Sequence, residues 1–128
     1  MTTTFGPYSP VRQAGNLLFV SGQVGINPEN SMVPKDIAWQ TERTLLNLEN
    51  ALKKEGASLN DVIKTTVFLT NMDNFAAMNE VYEKRFGAPR PARSCVGVGE
   101  LPHVAGDTEL LVEIEAVAAR NAHDADAH

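Results

Sequence analysis

The chain predicts an α+β fold in which two amphipathic helices cover one face of a single mixed sheet, in the order β-β-α-β-α-β-β. Three observations carry this expectation. Two segments repeat apolar residues at helical spacing, several others are short and β-branched or alternating, and turn residues separate them. At 128 residues the chain suits one domain, taken as residues 1–120, followed by the tail "NAHDADAH" at 121–128. That tail is small, polar and acidic, and it reads as disordered.

The elements follow in order. "YSPVRQAGN" predicts a strand and a tight turn at Gly15-Asn16. "NLLFVSGQVG", Asn16 to Gly25, is an apolar run closed by glycines and reads as a buried strand, whereas "INPENSMVPKD" is loop. From Asp36 to Glu55 the residues Ile37, Thr41, Leu45, Leu48 and Leu52 recur at helical spacing, and Gly56 stands where a C-terminal cap belongs. "DVIKTTVFLT", Asp61 to Thr70, is β-branched and alternating, hence a strand. "NMDNFAAMNEVYEKRFG" predicts the second helix, with Phe75, Met78, Tyr82 and Phe86 as its inner stripe and Gly87 as its stop. "RPARSCVGVGELP" and "TELLVEIEAVAAR" read as the last two strands, with Leu110, Val112, Ile114, Ala116 and Ala118 on one face of the second.

Strand side chains alternate, so Arg93 and Cys95 share a face and Ser94, Val96 and Val98 share the other. The helices need an apolar surface beneath them. Val96, Val98, Val112 and Ile114 are therefore expected under the helices, and Arg93, Cys95, Glu113 and Glu115 on the bare face, where Gly97 and Gly99 leave room. That face also carries Leu111 and Val117, and a half-apolar bare face is usually buried by association, so an oligomer is expected. A pocket at such a seam gathers an arginine, a thiol and a carboxylate. Arginine grips a carboxylate with a planar fork. A partly desolvated glutamate can orient or deprotonate a water. The set suits hydrolysis of a small carboxylic acid with an electrophilic carbon beside its carboxylate. An interfacial Arg93–Glu113 salt bridge explains the same residues without any chemistry.

Composition narrows the partners. The formal charge is −5 and no cluster of Lys or Arg offsets it, which argues against broad contact with a nucleic-acid backbone. Metal-ligand spacing is absent: the histidines are His103, in a loop, and His123 and His128, in the tail. No apolar run is long enough to cross a bilayer. The opening "MTTTFGPYSP" lacks a basic stretch and an apolar core, so no signal peptide is expected and a cytoplasmic location follows. A single cysteine forms no intramolecular disulfide, which agrees with a reducing compartment.

The stretches "GPYSPVRQAGNLLFVSGQVGINPEN", "KTTVFLTNMDNFAAMNEVY", "RPARSCVGVGELP" and "VEIEAVA" resemble the Rid, or YjgF, family of reactive-intermediate deaminases from Gly6 to about Ala119. The resemblance implies a chorismate-mutase-like fold, a homotrimer with clefts between subunits, and no cofactor. It implies hydrolysis of 2-enamino and 2-imino acids, such as 2-aminoacrylate and 2-iminobutanoate, to 2-keto acids and ammonia. By the same resemblance Arg93 binds the substrate carboxylate and Glu113 positions the attacking water. Cys95 offers its backbone N–H rather than a covalent thiol. Tyr8 and Gly22 line the pocket, and Ser21 stands beside them. Asn79 matches a family asparagine and is expected to brace the helix against the backbone, and Glu115 to be a structural or interface charge. Binding of small keto or amino acids without turnover is the alternative. Ribonuclease and chaperone-like roles are also attached to the family, and the acidic charge opposes the first. One departure stands out. The connection "HVAGDTELL" is longer than usual, with Gly106-Asp107 expected at its tip, and it bears on the cleft mouth or the seam between subunits.

Overall fold

The computed structural model describes residues 5–29 and 32–120; the tail from 121 onward, on which the disorder expectation falls, lies outside the described residues. Strands β1 (Val11–Ala14) and β2 (Leu17–Val24) pair through the expected two-residue turn, where Gly15 takes a φ of 61° that favours glycine. Helix α1 (Ile37–Lys53) starts where the Asp36 carboxylate accepts a hydrogen bond from the Trp39 N–H at 2.7 Å. It stops at Gly56, whose φ of 73° lets the chain turn while the Ala57 N–H donates to the Leu52 carbonyl. Then come β3 (Val62–Leu69), α2 (Phe75–Arg85), β4 (Ala92–Gly97) and β5 (Val112–Ala119). Helix α2 does not end on Gly87. Phe86 turns extended, and Arg90 donates to the freed carbonyls of Phe86 at 3.1 Å and Glu83 at 3.4 Å.

The sheet order is β1-β2-β5-β3-β4. Only β3 and β4 are parallel, joined by the α2 crossover, and every other pair is antiparallel. This is the α+β arrangement the sequence predicts. Leu45, Leu48 and Leu52 of α1 and Met78, Tyr82 and Phe86 from the α2 stretch pack onto Leu18, Val20, Val67, Leu69, Val112, Ile114, Ala116 and Ala118. Leu110 is not part of this core. The last strand begins only at Val112, and Leu110 joins a second cluster with Ile26, Val33 and Leu101. Val104, Ala105 and Trp39 pack against that cluster, so the long connection after Pro102 folds inward, with its tip at Gly106 as expected.

The assignment of β4 is corrected by the structure. Parallel register sets Arg93 beside Thr65, Cys95 beside Val67 and Gly97 beside Leu69. Thr65, Val67 and Leu69 are fully buried on the helix side, so Arg93 and Cys95 lie under the helices too. Val96 faces the bare side and is 42% exposed. The reversal has a physical cause. β4 is an edge strand, and α2 presents to it the aromatic ring of Tyr82, over which the Arg93 guanidinium sits at 4.9 Å. A cation on an aromatic face meets the packing need that the sequence reading assigned to valine. Glu113 and Glu115 do lie on the bare face, in the rows of Phe68 and Thr66, and Phe19 is exposed on the same side.

Candidate active site

Glu113 is placed by a bulge. Between Val20 and Gln23 the register of β2 on β5 slips, so Ser21 and Gly22 stand opposite Glu115 alone. At Gly22 the backbone comes so close to the Glu113 carboxylate that a Cβ would lie 2.4 Å from its Oε2. On either side Glu113 is flanked by Val24 and Phe68, both packed into the second cluster. Burial among these groups pushes the Glu113 carboxyl above the usual carboxylate range, and the like charge of Glu115 adds to the rise. The Ser21 hydroxyl donates to the Ser9 carbonyl at 2.6 Å, tying the segment that carries Tyr8 to β2 beside the bulge. Tyr8 is 46% exposed, and its hydroxyl accepts from the Phe5 N–H at 3.3 Å.

Arg93 is placed by α2. Phe75, Asn79 and Tyr82 fall on one stripe of the helix. The Asn79 Oδ1 accepts from Arg93 Nη1 at 2.7 Å, and the guanidinium carbon lies 4.9 Å from the Tyr82 ring and 5.6 Å from the Phe75 ring. Asn79 thus braces the arginine, not the backbone. Tyr82 is buried, and its hydroxyl shares a 2.7 Å hydrogen bond with the buried Thr65 hydroxyl. The sequence reading placed Tyr82 in the core stripe and did not single out Thr65. Their helical and strand spacing could show burial but not the arginine between them. The guanidinium edges an open depression of about 310 Å³ lined by Asn79, Tyr82, Glu83, Arg90, Pro91 and Arg93. Cys95 packs at the rim of the main core, and burial raises its thiol pKa although Arg93 works in the opposite sense. This does not favour a thiolate nucleophile.

Arg93 and Glu113 therefore occupy opposite faces of one sheet. Ser21, Gly22 and Glu113 form one half of the candidate site, with Tyr8 tied beside it, and Arg93, Asn79 and Cys95 form the other. The Arg93–Glu113 salt bridge is absent within the chain. His103 pairs at 3.0 Å with Glu100, and both side chains are exposed. Among the described residues no group of three or more His, Cys, Asp or Glu side chains could hold a metal ion, and no helix is long and apolar enough to cross a membrane.

These features define a small α+β protein that presents a seated guanidinium on one sheet face and a half-buried carboxylate on the other. The family model described as Endoribonuclease L-PSP matches residues 2–120, and the chain belongs to this family, the group that also goes by YjgF, RidA and RutC. It is 48% identical over 114 residues to a RutC family protein of Pyrococcus horikoshii, covering 88% of this chain and 86% of that one. It is 39% identical over 118 residues to the 2-iminobutanoate/2-iminopropanoate deaminase of Escherichia coli K12, covering 90% and 88%. The structure of E. coli TdcF with bound serine superposes with a TM-score of 0.84 at 38% identity, covering 91% of each chain. The chain thus shares its family with a named imine deaminase, under a family description that names a ribonuclease.

Proposed function

We propose that the protein hydrolyses small 2-imino and 2-enamino acids to 2-keto acids and ammonia, in a site completed between copies of the chain. The observation that carries this reading is the seat of Arg93: a guanidinium laid on an aromatic ring, with one nitrogen held by Asn79, presents a fixed fork for a carboxylate. Glu113 suits the partner role, because a half-buried carboxylate holds a water firmly and accepts its proton. The two groups point to opposite sides of the sheet, so Glu113 of one copy meets Arg93 of another, as in the homotrimer that the resemblance implies. In the reaction the water oxygen bonds to C2 of the imine while Glu113 takes the proton. That proton goes to the imine nitrogen as the C2=N π pair moves onto it; the new hydroxyl then gives its proton to the amine by way of Glu113, C2=O forms as the C2–N bond breaks, and ammonia leaves. An enamine first takes a proton at C3 and gives one up from its nitrogen, which yields the same imine.

The relative named as a 2-iminobutanoate/2-iminopropanoate deaminase supports the substrate class, and the serine-bound relative supports an amino-acid-like ligand. The second also favours a competing reading, binding without turnover. A coupled assay separates them: an amino-acid oxidase generates the imine, semicarbazide traps it, and the protein competes with trapping. Wild type suppresses trapping, and R93A and E113Q do not while keeping the oligomer. Wild type that binds 2-oxobutanoate yet leaves trapping unchanged makes the protein a binding module. RNA cleavage that survives in R93A makes it a nuclease of a different site.

A further inference from the structure

We propose that Tyr82, anchored by Thr65, is the positioning residue that sets the plane of the Arg93 guanidinium, and that Asn79 fixes which edge of it meets the ligand; this rests on the carboxylate-binding role proposed for Arg93. An arginine on an exposed edge strand ordinarily samples many rotamers, and holding it costs side-chain entropy. Here three contacts remove that freedom. The Tyr82 face lies beneath the guanidinium at 4.9 Å, the Phe75 ring stands at 5.6 Å, and Asn79 holds Nη1 at 2.7 Å. The ring is itself fixed. Tyr82 is 4% exposed, its ring centroid lies 4.6 Å from that of Phe86, and its hydroxyl meets the fully buried Thr65 hydroxyl at 2.7 Å. Thr65 is the direct β3 neighbour of Arg93 on β4, so the sheet that carries the arginine also holds the ring beneath it. With Nη1 engaged, Nε and Nη2 make no hydrogen bond among the described residues. These two nitrogens form the side edge of the fork, the pair that takes both oxygens of a carboxylate side-on.

A carboxylate beside a reacting imine keeps its charge throughout the reaction. A grip on it acts equally on ground state and transition state, which moves KM and leaves kcat. Loss of the ring in Y82L is therefore expected to weaken 2-oxobutanoate binding and raise KM by about twofold to thirtyfold, the range of a partly desolvated cation–π contact. Saturated turnover is expected to stay near wild type. Calorimetry with 2-oxobutanoate and with its neutral primary amide isolates the effect, because only the acid uses the fork. The milder T65V, which removes the anchor and keeps the ring, is expected to move the same binding constant in the same direction by less. Weakened acid binding with unchanged amide binding in either variant supports the inference. Equal weakening of acid and amide makes Tyr82 merely structural and overturns it. So does acid binding that R93A abolishes and both Y82L and T65V preserve. Should wild type itself ignore 2-oxobutanoate, the carboxylate-binding role of Arg93 falls along with the inference.

Discussion

In the proposed reaction Glu113 is the group that pH can read. Burial is the larger cause of its raised pKa and the Glu115 charge the smaller. A raised pKa means the carboxylate protonates earlier as pH falls, so the base is lost earlier. The kcat/KM profile, which reports the free protein, is expected to drop on its acid side at a midpoint above the ordinary glutamate value of about 4.3. In E115Q, with one like charge gone, that midpoint is expected to move down while the plateau holds. An acid limb at or below the ordinary value, or one unmoved by E115Q, contradicts this account. Gly22 offers a second test. Because a Cβ there would lie 2.4 Å from a Glu113 oxygen, G22A is expected to displace the carboxylate and lower kcat by about 100-fold, the scale of a lost general base. Its oligomeric state and far-ultraviolet circular dichroism should match wild type, and full activity in G22A would separate Glu113 from the reaction. Both Arg93 and Glu113 stand out in the sequence as candidate site residues. The bulge that seats Glu113 is not, since Gly22 alone reads equally as a strand end.

Among the elements, α1 does more than cover the sheet. Gln40, fully buried, donates from Nε2 to the carbonyls of Pro34 and Glu109, both at 3.1 Å, and accepts from the Leu111 N–H at 2.8 Å. Two turns along the same helix, Asn47 donates to the Val24 and Ile26 carbonyls at 2.8 and 2.9 Å. The two amides clamp the entry to β5 and the exit of β2, the strands that carry Glu113 and Gly22. Truncation in Q40A orphans one buried N–H and two carbonyls, for an expected loss of about 2–4 kcal/mol in urea unfolding. Faster amide exchange at Leu111 is expected with it, and unchanged protection there would show that Gln40 is not the clamp. Helical periodicity located α1 through Leu45, Leu48 and Leu52 but passed over Gln40, because a polar residue in the stripe carries no hydrophobic signal. The β4 error has a related origin. Alternation shows which residues share a face, not which face is buried, and on this edge strand the aromatic Tyr82 draws the arginine inward and leaves Val96 exposed.

At the scale of the whole molecule, the division of the site follows from strand register alone. Thr65 and Phe68 on β3 point to opposite faces, and they carry Arg93 and Glu113 beside them respectively. No side-chain rotation brings the two together across a hydrogen-bonded sheet. A reaction that needs both must draw them from two copies, and the exposed Phe19 and Val96 on the bare face provide apolar surface for such a contact. The expectation of an oligomer thus keeps its basis, although the sequence argument for it had put both groups on one face. Complementation tests the division directly. R93A and E113Q are each expected to be inactive. Unfolded together in equal amounts and refolded, they form mixed oligomers in which some seams join an intact Arg93 to an intact Glu113. In a closed ring with random assembly, each seam has one chance in four of that pairing, so about a quarter of wild-type activity should return. Each variant refolded alone serves as the control. A site contained within one chain predicts no recovery, because every chain in the mixture lacks one of the two groups. Recovery near a quarter, scaling with the product of the two variant fractions as their ratio is changed, places Arg93 and Glu113 in different copies at every working site.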